Sequence, residues 1–104
     1  MNPIIKGKWI GEIRGTKYRQ GKNYLRQKDR YCCLGVLCDI MDNSKWEISS
    51  KVNNRYSYGN YTDVLDYRIR KQAGISFLQM LLLMKMNDSG KTFEEIAKVI
   101  ETQF

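Results

Sequence analysis

Histidine is absent from this 104-residue chain, and proline occurs once. Without His, the commonest general base, the usual nucleophilic triads and most zinc sites are missing. Long apolar runs are missing too. The longest, Met80 to Met84, is far short of the about 20 residues that span a bilayer, and the N-terminus has no apolar stretch of signal-peptide length. The expectation is a soluble intracellular protein with no membrane partner. Cysteine is scarce and odd in number. Cys32, Cys33 and Cys38 lie close together, whereas a secreted scaffold spreads an even set along its chain. Zinc ligands usually come in pairs two to four residues apart, and Cys32 and Cys33 are adjacent. With Leu34, Val36 and Leu37 between them and Cys38, the thiols read as small core hydrophobes.

Negative charge is scarce at one end. Residues 1–30 hold nine cations (Lys6, Lys8, Arg14, Lys17, Arg19, Lys22, Arg26, Lys28 and Arg30) against Glu12 and Asp29, which accounts for the whole net charge of +7. The remaining residues balance to zero. A one-ended field of this kind suits a polyanionic partner. With 42% hydrophobic and 28% charged residues, the composition is globular. The length predicts one domain over residues 1–104 with a single modest core, and self-association would add to its small stability margin.

Local signals predict an α+β fold, mostly helical, with about four helices and one small antiparallel sheet or hairpin. Asn2-Pro3 is a helix start, Ile5, Trp9 and Ile13 recur at helical spacing, and Gly15 follows as a C-cap. Gly7 and Gly11 weaken this helix by about 1 kcal/mol each relative to Ala, so packing has to hold it. Residues 16–30 read as irregular or hairpin. Asp29 then caps a second helix from about Arg30 to Met41, in which Gly35 permits close approach of another element. Asp42 to Ser50 is turn-rich. The stretch from Val52 to Leu65 is rich in tyrosine and β-branched residues, and its Gly59-Asn60 pair predicts a hairpin turn. Asp66 to Ala73 reads as a short helix stopped at Gly74. Ser76 to Asn87 is apolar almost all round, so it is either central or buried against another subunit. Thr92 to Glu95 is a capping box that opens an amphipathic final helix.

Two stretches resemble a family of small tailed-phage and prophage accessory proteins. One is Tyr31-Cys32-Cys33-Leu34-Gly35-Val36-Leu37-Cys38-Asp39, preceded by Gln20-Gly21-Lys22-Asn23-Tyr24-Leu25-Arg26. The other runs from Met86-Asn87-Asp88-Ser89-Gly90-Lys91 through Thr92-Phe93-Glu94-Glu95-Ile96-Ala97. The resemblance implies a virus-encoded protein made in a host bacterial cytoplasm, and the family brings no catalytic or binding residue with it. Small accessory proteins of phages are often aimed at host immunity, which is an analogy of setting and not of site.

Cations alternate with tyrosines from Lys17 to Tyr31. Arginine contacts phosphate through planar paired donors, tyrosine offers a face for a base, and Gly21 lets backbone N–H groups approach an anion. The candidate ligand contacts are Arg19, Gln20, Lys22, Arg26 and Arg30, with Tyr18 and Tyr24 as stacking surfaces. The bland reading keeps the tyrosines in the core and the cations on a solvated rim. Glu95 is explained by capping and Glu94 by its place at a helix N-terminus, and Asn87 to Lys91 lacks the glycine spacing of a phosphate loop. No enzyme activity, metal or cofactor is therefore expected. The function expected is capture of a small phosphorylated nucleotide signal by a phage anti-defence protein, in a homo-oligomer formed through the Phe77–Met86 helix. The alternatives are a nucleic-acid-binding or protein-binding inhibitor of a host defence nuclease, and a phage structural or assembly protein.

Overall fold

A computed structural model describes residues 1–104, with five α-helices and a five-stranded mixed sheet. The α+β class agrees with the sequence pattern. The expected four helices and single hairpin are corrected to five helices and a larger sheet. Helix α1 (Pro3–Arg14) begins where Asn2 Oδ1 accepts from the N–H groups of Ile4 and Ile5, and it ends at Gly15. Packing holds it: Trp9 and Ile13 are buried, and Trp9 Nε1 donates to the Cys33 carbonyl at 2.9 Å. Gly7 and Gly11 have nothing within 4 Å of the place a Cβ would take, so no close contact compensates their weak helix propensity.

Helix α2 covers Cys33–Met41, not the segment from Arg30 expected behind Asp29. Arg30 and Tyr31 are instead strand β3, because partners on both sides claim their backbone groups. Strands β1 (Arg19–Gln20), β2 (Arg26–Gln27), β4 (Glu47–Ser50) and β5 (Arg55–Ser57) complete a sheet ordered β1-β3-β2-β5-β4. The β1–β3 pair is parallel and the others are antiparallel. The stretch read as turn-rich holds a 3₁₀ turn at Asn43–Lys45 and then β4. Gly59 and Asn60 do turn, with φ of 60° and 73°, as a two-residue hairpin turn requires. They close only the isolated bridge between Tyr58 and Tyr61, and the true hairpin joins β4 to β5 upstream.

Helix α3 (Tyr67–Ala73) runs from its Asp66 cap to a left-handed Gly74, as expected. Helices α4 (Phe77–Asp88) and α5 (Phe93–Gln103) each open with a capping box, Ser76 with Gln79 and Thr92 with Glu95. The core is one cluster of 21 buried residues drawn from all five helices and the segments between them. Cys32, Cys33 and Cys38 are unpaired and buried in it. Burial pushes all three thiols up, that of Cys32 to about 12, as expected where a thiolate would be desolvated. At Gly35 a Cβ would stand 1.8 Å from the Leu25 carbonyl oxygen, so the chain crosses α2 there only because the residue is glycine. Helix α4 is buried on one side, through Met80, Leu83 and Asn87, and leaves Phe77, Leu78, Leu81 and Leu82 exposed. No helix is long and apolar enough to cross a membrane.

Candidate anion-binding face

The seven residues picked from the basic segment part company in three dimensions. Gln20 serves the fold. Its Nε2 donates to Asn87 Oδ1 at 3.1 Å and to the Lys91 carbonyl at 2.8 Å, and its Oε1 accepts from Phe93 N, the first N–H of α5. Asn87 is fully buried and does the same for α2: its Oδ1 accepts from Cys33 N at 3.2 Å, at a helix start whose own N-cap residue, Cys32, provides no side-chain bond. Asn87 Nδ2 donates to the Gly21 carbonyl at 2.8 Å, and Asp88 accepts from Asn23 N at 2.9 Å. Helix N–H groups that lack an intrahelical partner need an acceptor, and here two distant amides supply it. Tyr18 is also committed inside: it is buried, and its hydroxyl donates to Asp39 Oδ2. Desolvation and that carboxylate together raise its pKa. Gln20 and Tyr18, both expected as ligand contacts, bond within the fold in this structure.

The remaining candidates are sorted by the sheet register. Successive strand residues point to opposite faces. Gln20, Tyr31, Arg26, Tyr56 and Ile48 form one cross-strand row, while Arg19, Arg30, Gln27, Arg55 and Ser50 form the next. Arg26 therefore belongs to an aromatic row, away from Arg19 and Arg30. Its guanidinium lies 4.0 Å from the Tyr56 ring centre, with the rings of Tyr31 and Trp46 at 5.3 and 5.6 Å. Cation–π contacts of this kind hold an arginine in place. Beneath it, Trp46 Nε1 donates to Asp39 Oδ1 at 2.9 Å, so one carboxylate accepts from both Tyr18 and Trp46. Tyr58 is buried beside Trp46 and donates to the Asp42 carbonyl.

The second row carries the free positive charge. Arg19 and Arg30 are adjacent across β1 and β3 and exposed, and Arg55 lies beyond Gln27 on β5. One acid touches this row: Asp29 pairs with Arg19 at 3.1 Å between exposed side chains, a contact worth little in water. Arg30 Nη1 donates to the Gln20 carbonyl at 3.4 Å; Arg55 makes no ion pair, its Nε is buried without a hydrogen-bond partner, and its guanidinium stacks 3.8 Å from the Tyr24 ring centre. Lys22 is exposed beside Gly90, outside the strands.

A model of a domain of unknown function, DUF8296, matches residues 1–79. The chain belongs to the DUF8296 family. The match takes in the whole sheet, both arginine-bearing rows and the first three helices. No curated protein and no solved structure matches the chain.

In the DUF8296 chain, sequence reasoning missed Arg55 on the outward row and Trp46 beside Arg26 on the other, and left open whether Tyr56 joins the site. Arg55 and Tyr56 stand in the tyrosine-rich stretch that was singled out, but only the pairing of β5 with β2 brings them beside Arg26 and Gln27. Hollows elsewhere are open and of mixed charge. One of about 510 Å³ lies between Gly7, Gly11, Lys17, Tyr18 and Asp39, and another of about 590 Å³ between Lys45, Glu47, Asp66 and Arg68. Neither contains Arg19, Arg26, Arg30 or Arg55.

Proposed function

We propose that this protein binds a single-stranded nucleic acid across its sheet, and that it does so as a phage accessory protein shielding nucleic acid from a host defence nuclease. The observation that carries the binding is the row Arg19, Arg30 and Arg55, an open basic surface with a stacked Arg55–Tyr24 pair at its end. Adjacent strands lie about 4.8 Å apart, so the row spans the reach of two or three successive phosphates. Tyrosine beside arginine suits unpaired bases, which stack without regard to sequence. The phage setting rests on the resemblance of the Tyr31–Asp39 and Met86–Ala97 motifs.

The test is anisotropy of a labelled single-stranded oligonucleotide across roughly 50 to 200 mM salt. Three phosphate contacts at about 0.7 each give a log–log salt slope near −2 for a single strand. Arg30→Ala reduces the slope by about 0.7, and the triple variant with Arg19→Ala and Arg55→Ala loses the salt-dependent term. Absence of binding at low salt, or a slope that the triple variant leaves unchanged, overturns the reading.

A second reading is capture of a small phosphorylated nucleotide between two copies of the chain. What favours it is the concentration of the whole net charge of +7 in residues 1–30, too short a stretch for a long groove. Native mass spectrometry of protein purified from cells separates the two: an oligomer carrying a nucleotide-sized mass supports this reading against the first.

A further inference from the structure

We propose that the outer face of α4, with Tyr67 and Arg70 of α3, docks an acidic amphipathic helix of a partner protein. Leu78 is 76% exposed, Tyr67 61% and Phe77 53%, and Leu81 and Leu82 continue the face one turn on. Spacing of i, i+1, i+4 and i+5 puts Phe77, Leu78, Leu81 and Leu82 on one side of the helix, opposite the buried Met80 and Leu83. A contiguous apolar patch of this kind marks an interaction surface.

Charge decides among the occupants. From Tyr67 to the end of α4 the chain has four cations, Arg68, Arg70, Lys71 and Lys85, and one acid, Asp88, whose carboxylate is engaged by Asn23 N. In an isologous contact between two copies, antiparallel α4 helices would bring Lys85 toward the other copy's Arg70 end, and parallel ones would bring Lys85 against Lys85. Either way like charges meet at an interface that excludes water, on a chain already carrying +7. A second copy is therefore the weaker occupant.

Arg70 supplies the positive argument. Its guanidinium lies 5.5 Å from the Tyr67 ring centre and 5.6 Å from that of Phe77. It makes no ion pair, and its Nε is buried without a hydrogen-bond partner. A half-buried arginine held between two rings and lacking an acceptor is the arrangement that a carboxylate completes with paired, charge-assisted bonds. Tyr and Arg are also the side chains that dominate binding energy at interfaces. An amphipathic helix with leucines on one side and glutamates along its edge satisfies both the ridge and the cations. An anionic membrane offers negative charge, but not a carboxylate fixed at the edge of an apolar helix face, where Arg70 stands beside Phe77.

The inference is independent of the sheet row, so its test has its own readout. The probes are two labelled helical peptides with the same leucine pattern, one with glutamate flanks and one with lysine flanks, titrated against the whole chain. The glutamate peptide is expected to bind at least about tenfold more tightly than the lysine peptide, a difference of about 1.4 kcal/mol. Leu78→Ser and Arg70→Gln should each weaken it about tenfold. Both variants should keep the wild-type circular dichroism and melt within a few degrees of wild type, because Leu78 is exposed and the Arg70 side chain makes no hydrogen bond or ion pair, only ring contacts. Arg30→Ala should leave peptide binding unchanged. Equal binding of the two peptides, or none, overturns the proposal. So does a dimer in sedimentation that Leu78→Ser dissociates. Binding to phosphatidylglycerol vesicles that Leu78→Ser abolishes, without peptide binding, also overturns it in favour of a membrane.

Discussion

Arg19 and Gln20 are neighbours in one short strand, and they belong to opposite kinds of surface. Gln20 spends its whole amide on the junction where α2, α4 and α5 meet, together with Asn87. Arg19 stands in a row with Arg30 and Arg55 whose own-chain contacts are peripheral: an exposed ion pair with Asp29, a 3.4 Å bond from Arg30 to the Gln20 carbonyl, and the stacking of Arg55 on Tyr24. At the junction each polar atom has an internal partner, as a buried amide must. On the sheet Arg19 and Arg30 are exposed. Polar groups that the fold consumes and polar groups that it leaves available therefore alternate within two residues, and a substitution separates them at once.

The largest effect should come from closing the space where Leu25 crosses α2. Gly35→Ala places a Cβ on the Leu25 carbonyl, and relief requires moving α2 off the segment that leads into β2. A loss of about 4 kcal/mol, much of the margin of a small domain, should show in urea unfolding as a vanishing folded baseline. Asn87→Ala comes next. It strands Cys33 N, the Gly21 carbonyl and one donor of Gln20 in a buried site, for a loss of about 3 kcal/mol in the same assay. Arg30→Ala is the contrasting case, expected to lie within about 0.5 kcal/mol of wild type while weakening oligonucleotide binding. Equal destabilisation by Asn87→Ala and Arg30→Ala would break the distinction between the two regions. The smallest effect is a gain. Gly11→Ala fills open space on α1 and should stabilise by about 0.5 to 1 kcal/mol, read as a higher urea midpoint at unchanged slope.

Local chemistry was legible wherever cause and effect lie within a few residues. Asn2 caps α1, Thr92 and Glu95 form their box, Gly74 ends α3, and Gly59-Asn60 turns with both φ angles positive. The buried cysteines and the close crossing at Gly35 followed from the same kind of reading. The strands were not legible. Four of the five are two or three residues long, too short for alternation to register. Arg30 and Tyr31 looked like a helix start because their strand partners are Arg19, Gln20, Arg26 and Gln27, which no local pattern reveals. The acceptor for the start of α2 comes from Asn87, 54 residues away.

The amino-acid sequence by itself determined the sign of the field, its concentration in the first thirty residues, the α+β class and most helix limits, because charge, caps and periodicity act over a turn or two of chain. The tertiary structure decided which of those charges remain available. Gln20 and Tyr18 turn inward, Arg26 joins Tyr31, Trp46 and Tyr56, and Arg55 enters the row of Arg19 and Arg30 from a distant strand. The physical reason is that strand register and long-range hydrogen bonds assign a side chain to a face, and both depend on residues far away in the chain.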